Sequence, residues 1–324
     1  MALLALRFDF RNPDFVGVPM AERYEVALEM ARWADGIGFD RLVLSEHHGE
    51  PDGFVSSPLT LAAAAAARTE RIRIQIAAMV TSFHDPIRLA EDIATVDLLS
   101  RGRIEVVLVN GYAEREFTMF DQPMSRRAAR TEELVRTLRQ AWTGEAFEFR
   151  GREVRVTPKP HTPGGPPLIL GGDSKPAAHR AARLGDFYMP SHAAPWEFYR
   201  EECERLGKRD PGPFPGGDTS FFHLTRDPDG DWDRIAPHAL HETNAYGKNS
   251  PEAEMGYVMV TDADQLRQGG HYRTITPTEL LERIEKEGDQ AFLVFHPMMG
   301  GIPPELGWQS LRLFQQEVLP HLDR

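Results

Sequence analysis

Two short stretches of this sequence could do chemistry, and a third pattern invites the question. Ser45-Glu46-His47-His48-Gly49 follows Arg41-Leu42-Val43-Leu44, a run that reads as a β-strand, so two imidazoles and a carboxylate stand where a strand gives way to a loop. Successive strand side chains point to opposite faces, so His47 and His48 share one pocket only if the strand has already broken. One of them is then a site residue and the other structural. Imidazole is the side chain best suited to moving a proton near neutral pH. Gly171-Gly172-Asp173-Ser174 follows Leu168-Ile169-Leu170 and opens a helix. Two glycines let backbone approach an anion, Ser174 offers a hydroxyl, and the helix start presents free amides and its positive dipole end. A turn that merely joins strand to helix is the alternative. His238, His241 and Glu242 share a helical neighbourhood, but a solvated helix face explains them more simply than a metal site, and no metal ligand is assigned.

The bulk numbers bound the partners. The chain has 324 residues, long for one domain yet within the range of an α/β barrel. It carries 37 Lys and Arg against 49 Asp and Glu, a net charge of −12, which argues against nucleic acid or an anionic membrane as partner. An anionic ligand must then be held by local donors. The one cysteine, Cys203, excludes an internal disulfide and fits a reducing compartment, so a cytoplasmic location is expected. The first six residues are apolar but too short for a signal peptide, and no run approaches the roughly 18 apolar residues of a spanning helix.

Strand and helix alternate along the chain. Strands are predicted at 3–10, 41–44, 72–80, 103–109, 168–170, 186–189, 219–224 and 291–295, mostly continuous apolar runs as expected when both faces are covered. Between them, Asp85-Pro86 supplies an N-cap with proline at the first helical position, and Thr276-Pro277-Thr278-Glu279 is a capping box. Residues 59–67 form an alanine-rich helix that would let another helix come close. Residues 147–156 read as a hairpin about Arg150-Gly151, an insertion and not a domain. Residues 110–123 read as a loop, and 249–275 as a long polar loop with little periodicity. Eight strands in this rhythm predict an α/β fold, a (β/α)8 TIM barrel with insertions, over residues 1–324 as a single domain.

The order of motifs resembles the bacterial luciferase-like, flavin-dependent monooxygenase family. Four passages carry the likeness: Ser45-Glu46-His47-His48; His84-Asp85-Pro86-Ile87-Arg88-Leu89-Ala90-Glu91 with Leu99-Ser100-Arg101-Gly102-Arg103; the segment from Pro167 to Ser174; and Gly300-Gly301-Ile302-Pro303-Pro304 to Trp308. The resemblance implies a barrel that binds FMN, or in one branch coenzyme F420, at the carboxyl ends of its strands. It implies that His47 is the catalytic histidine and that Glu46 orients the flavin or packs outward. It implies a phosphate site at Gly171, Gly172, Asp173 and Ser174, and a cis peptide under the flavin within Ala77-Ala78-Met79. Asn110 falls where luciferases place an arginine near the flavin, and Ala177 where they carry a second hydroxyl. Both are departures. His296 is expected to line the rim from the last strand.

The function so implied is oxidation of a small organic substrate by oxygen with reduced FMN taken from a separate flavin reductase. An F420-dependent oxidoreductase on the same barrel is the alternative. A metal-dependent barrel hydrolase commonly wants His-x-His at the end of strand one, and none of the 12 histidines stands so. A catalytically silent flavin-binding subunit is opposed by His47. No Gly-x-Gly-x-x-Gly occurs, so no internal dinucleotide fold is visible. The resemblance also implies a homodimer, with the helices starting near residues 59 and 86 in its interface. The substrate pocket is expected from residues 12–19, 49–57, 110–123 and 249–275, the last able to close over the site as a lid.

Overall fold

The computed structural model describes residues 2–216, 220–248 and 259–322. In chain order these form β1 (Leu3–Phe8), α1 (Met20–Ile37), β2 (Arg41–Leu44), α2 (Pro58–Ala66), β3 (Arg73–Val80), α3 (Pro86–Ser100), β4 (Ile104–Val109), α4 (Glu114–Met119) and α5 (Arg127–Ala141). There follow β5 (Phe147–Phe149), β6 (Arg152–Val154), β7 (Leu168–Gly171), α6 (Lys175–Leu184), β8 (Phe187–Met189) and α7 (Ala194–Arg205). The chain ends with β9 (Phe221–Leu224), α8 (Pro228–Gly247), α9 (Ala263–Gly269), β10 (Tyr272–Ile275), α10 (Pro277–Glu287), β11 (Phe292–Phe295) and α11 (Pro304–Glu317). The chain divides into two compact units, residues 1–56 with 215–324, and residues 57–214.

In the first unit β10, β9, β11, β1 and β2 lie side by side in that order, every adjacent pair parallel. Leu4, Leu6 and Phe8 on one side of β1 and Ala5 on the other are all buried, the pattern of a strand covered on both faces. Ala5, Val294, Phe221 and Tyr272 from the strands pack with Trp232, Ile235 and Ala239 of α8 and Met299, Ile302 and Leu306 after β11. The capping box at Thr276 forms as predicted: Thr276 Oγ1 accepts from Glu279 N at 3.3 Å while Glu279 Oε2 accepts from Thr276 N at 2.8 Å. Residues 249–275 depart from the expected loop. Asp262 caps α9 by accepting from Asp264 N at 2.9 Å, and β10 pairs in parallel with β9, giving one parallel strand more than the eight predicted. The expected lid falls largely on residues 249–258, which lie outside the described residues, as does Thr219 of the expected seventh strand.

In the second unit β3, β4, β7 and β8 are parallel neighbours in that order. The register of β3 on β4 shifts between Ala77 and Met79, and the Ala77-Ala78 peptide is cis. The antiparallel hairpin of β5 and β6 forms about Arg150-Gly151 as predicted. The 110–123 loop contains α4, which the polar sequence did not announce. At the start of α3 the Asp85 carboxylate accepts from Ile87 N at 3.0 Å and Arg88 N at 3.1 Å, with Pro86 at the first helical position.

Arg103 explains the Leu99-to-Arg103 motif. Its guanidinium donates to the carbonyls of Ala66, Thr69, Ile72 and Ser100 and to Thr69 Oγ1, at 2.8 to 3.1 Å. One side chain thus donates to backbone carbonyls where α2 ends, β3 approaches and α3 ends. Arg103→Ala is expected to lower the unfolding free energy in urea by about 2 to 4 kcal/mol, several charged-donor bonds being lost together. Arg103→Lys, lacking the fork, should recover less than half of that. Arg88→Ala, which removes exposed pairs with Glu91 and Asp92, should cost less than about 0.5 kcal/mol. Equal losses for the two alanine variants would contradict this role.

Candidate active site

The chain leaves the sheet at Leu44, yet Ser45, Glu46, His47 and His48 all remain buried. Alternation persists beyond the strand. Glu46 and His48, two residues apart, share a hydrogen bond between Oε1 and Nε2 at 3.1 Å. His47 faces an aromatic wall instead, its ring edge-on to Phe54 at 4.9 Å and to Tyr246 at 5.8 Å between centroids. Its backbone N–H donates to Val55 O at 3.1 Å. The two histidines are therefore separated by environment, one paired to a carboxylate and one among rings.

Behind that wall lies a charge network that the sequence did not announce. Arg11 Nη1 donates to Asp52 Oδ2 at 2.6 Å, and the same oxygen meets His241 Nε2 at 2.7 Å. The Arg11 guanidinium also lies over the Phe54 ring at 4.7 Å and the Tyr246 ring at 5.0 Å. Burial works to raise the pKa of Asp52, but the hydrogen bond from His241 and the Arg11 charge overcome it and hold the carboxyl below its ordinary value. Tyr246 is pushed up to about 12, chiefly by burial, so its hydroxyl is neutral and accepts from Arg7 Nη2 at 3.1 Å. The expectation of a solvated face for His238, His241 and Glu242 is wrong. Glu242 and His238 are buried, His238 Nδ1 meets Gly300 O at 3.0 Å, and His241 is held by Asp52. Helix α8 buries more than one of its faces, which spacing alone does not reveal. His296, expected at the rim, is buried near Asp9 and Glu242.

In the other unit, β7 ends at Gly171 and α6 begins after Ser174. Gly171 answers a packing demand: a Cβ there would stand 2.8 Å from Val109 Cγ1 and 3.1 Å from Met189 O. Gly172 has φ +115°, a conformation open to glycine and strained for other residues. Its carbonyl accepts from Tyr188 OH at 2.6 Å. Asp173 Oδ1 accepts from Ser191 N at 2.7 Å and so fixes the turn. Ser174 is the N-cap of α6, accepting from Ala177 N at 3.3 Å, and its O–H proton can still be donated elsewhere.

Asn110 sits after β4 in a polar cluster. Its carbonyl accepts from Ser82 Oγ at 2.7 Å, and its Oδ1 accepts from Thr131 Oγ1 at 2.7 Å and Arg180 Nη1 at 3.4 Å. Arg180, on α6, is the residue that sequence reading missed. It is buried, its Nε has no hydrogen-bond partner, and burial lowers its pKa, with Glu132 opposing. A guanidinium thus stands beside Asn110, the position where a loss of positive charge was noted. The glycine turn, the Ser174 hydroxyl and a buried arginine with an unused donor fit a phosphate-bearing cofactor.

The Asp52 network makes a prediction. Asp52→Ala removes the acceptor shared by the Arg11 guanidinium and the His241 ring and should destabilise by about 3 to 5 kcal/mol, as breaking a buried pair does. Because the folded-state pKa of Asp52 is lowered, its contribution is present above the ordinary carboxylate value of 3.8 and is lost as pH falls below it. The melting temperature of the wild type should therefore fall more steeply below about pH 4 than that of Asp52→Ala. Parallel profiles would contradict the network.

The chain is similar to known proteins in sequence and in fold. The sequence profile of luciferase-like monooxygenases matches residues 9–291. An FMNH2-dependent dimethylsulfone monooxygenase of Pseudomonas putida is 31% identical over 180 residues, 52% of this chain and 46% of that enzyme, so the match spans about half of the relative's length. The enzyme of the same name from Pseudomonas fluorescens (strain Pf0-1) is 25% identical over 317 residues, 88% of this chain and 86% of that one. The crystal structure of monooxygenase RslO1 from Streptomyces bottropensis superposes with a TM-score of 0.77 at 24% identity, covering 98% of this chain and 99% of that chain, a likeness of fold. Among the described residues no helix is long and apolar enough to cross a membrane. With an α/β fold shared with luciferase-like TIM barrels and a profile match over most of its length, the chain belongs to the luciferase-like monooxygenase family.

Proposed function

We propose that this chain is a flavin-dependent monooxygenase, one luciferase-like domain that takes reduced FMN from a separate reductase and uses oxygen to oxidise a small organic substrate. The observation that carries the reading is the start of α6, where Gly172, the Ser174 hydroxyl and buried Arg180 offer a phosphate both backbone approach and donors. Ser174 donates to the phosphate while its oxygen caps the helix, and Arg180 supplies the charge that Asn110 lacks. Asp173 serves by fixing the turn, and Ala77, Ala78 and Met79 provide backbone and apolar surface to the cofactor. Bound reduced FMN supplies the electrons for oxygen chemistry. His47 holds or delivers a proton, its ring kept in place by Phe54 and Tyr246 and sheltered from water. Glu46 fixes His48 and so shapes the end of β2. The relatives named for FMNH2 favour FMN over F420. We also propose a cytoplasmic homodimer joined through α2 and α3, because α2 presents small side chains and Leu98 and Leu99 of α3 are exposed. A light-scattering mass of a single chain at micromolar concentration would contradict the dimer.

Two variants test the assignment. Ser174→Ala should weaken FMN binding by about 1.5 to 3 kcal/mol while leaving riboflavin binding unchanged, since only the phosphate needs the hydroxyl. The same change should also cost about 1 kcal/mol of stability through the lost cap. Equal loss for both flavins would remove the phosphate site from this turn. His47→Ala should bind flavin normally yet lose substrate oxidation by a factor on the order of 10² to 10⁴. His48→Ala should lose less; the reverse order would assign the proton role to His48.

A further inference from the structure

A second cluster, at the carboxyl ends of β1 and β11, has no part in the roles proposed above. Asp9 follows β1, His296 follows β11, and Glu242 projects from α8. All three side chains are excluded from solvent. His296 Nε2 stands 3.6 Å from Asp9 Oδ1, and its Nδ1 stands 3.9 Å from Glu242 Oε1. These separations are too long for hydrogen bonds. As it is, both nitrogens of His296 and both oxygens of Glu242 lack a hydrogen-bond partner. Four buried polar atoms without partners in one small cluster call for an occupant that can bind them.

We propose that Asp9, Glu242 and His296 bind a divalent transition-metal cation. One donor atom from each residue lies within 4.8 Å of the other two. Donors that share an ion at about 2.0–2.2 Å in a tetrahedral array stand roughly 3.3–3.6 Å apart, so side-chain rotations that move the donors by about an ångström complete the set. Two carboxylates and an imidazole without sulfur suit zinc or manganese and not a thiolate-seeking ion. The surroundings prepare the ligands. Asp9 accepts from Arg11 N at 3.0 Å and Gly300 N at 3.3 Å, the outer contacts that orient a ligating carboxylate. The Arg11 guanidinium, 4.0 Å from Asp9, has its charge met by Asp52 at 2.6 Å. The three side chains being buried among the described residues, an ion held by them ties the ends of β1 and β11 to α8.

The test uses the full chain, unfolded with a chelator and refolded with Zn2+ or with Mn2+, then freed of loose metal by gel filtration. Elemental analysis should find about one ion per chain for at least one cation, with a melting midpoint raised by about 4 °C or more over the metal-free protein. Glu242→Gln and, independently, His296→Gln should hold less than a tenth of an ion, and their midpoints should not respond to metal. FMN binding is measured on the same samples and should be the same with and without the ion, which separates this site from the flavin assignment. Less than a tenth of an ion in the wild type with both cations would overturn the proposal, as would equal loading of wild type and a folded variant. Should neither variant fold, wild-type loading decides alone.

Discussion

One carboxylate, Asp52, holds together the part of the structure in which His47 sits. It joins Arg11 after β1, its own loop after β2, and His241 of α8, three stretches far apart in sequence. The Asp52 backbone carbonyl also accepts from Asn12 N at 2.7 Å. A guanidinium and an imidazole N–H on one buried carboxylate oxygen resist separation because the carboxylate would be left desolvated and unpaired. Arg11, so fixed, lies over Phe54 and Tyr246, the same two rings that face His47. A charge network thus sets an aromatic wall, and the wall sets an imidazole.

The other unit positions its polar groups by backbone satisfaction. Arg103 closes the ends of α2 and α3, and Thr81, Thr131 and Ser82 clasp the end of β4 through Val109 O and the Asn110 carbonyl and side chain. Around Gly172 the turn is held from outside, by Tyr188 on its carbonyl and by Ser191 on Asp173.

Much of this was legible in the residues, because local chemistry decides it. Asp85-Pro86 and Thr276-Pro277-Thr278-Glu279 announce helix starts that form as read, and the apolar runs became parallel strands. The family likeness drew attention to Ala77-Ala78, where a cis peptide stands. Other features depend on partners distant in sequence. Helix α9 and strand β10 are short and polar, and β10 exists through its pairing with β9. Glu242 and His238 share helical spacing with solvated residues, and only the packing of α8 on several sides buries them. Arg180 reads as one more helix-surface arginine until its burial beside Asn110 is seen. Asp9, Glu242 and His296 are separated by dozens to hundreds of residues, so no spacing rule brings them together.

The claim on which the functional account rests is that the chain binds reduced FMN through its phosphate. Anaerobic fluorescence titration of the full chain with reduced FMN, reduced riboflavin and reduced F420 tests it directly. The account predicts one saturable FMN site per chain, riboflavin bound at least tenfold more weakly, and F420 not competing with FMN. Tight F420 binding with no saturable FMN site would contradict it.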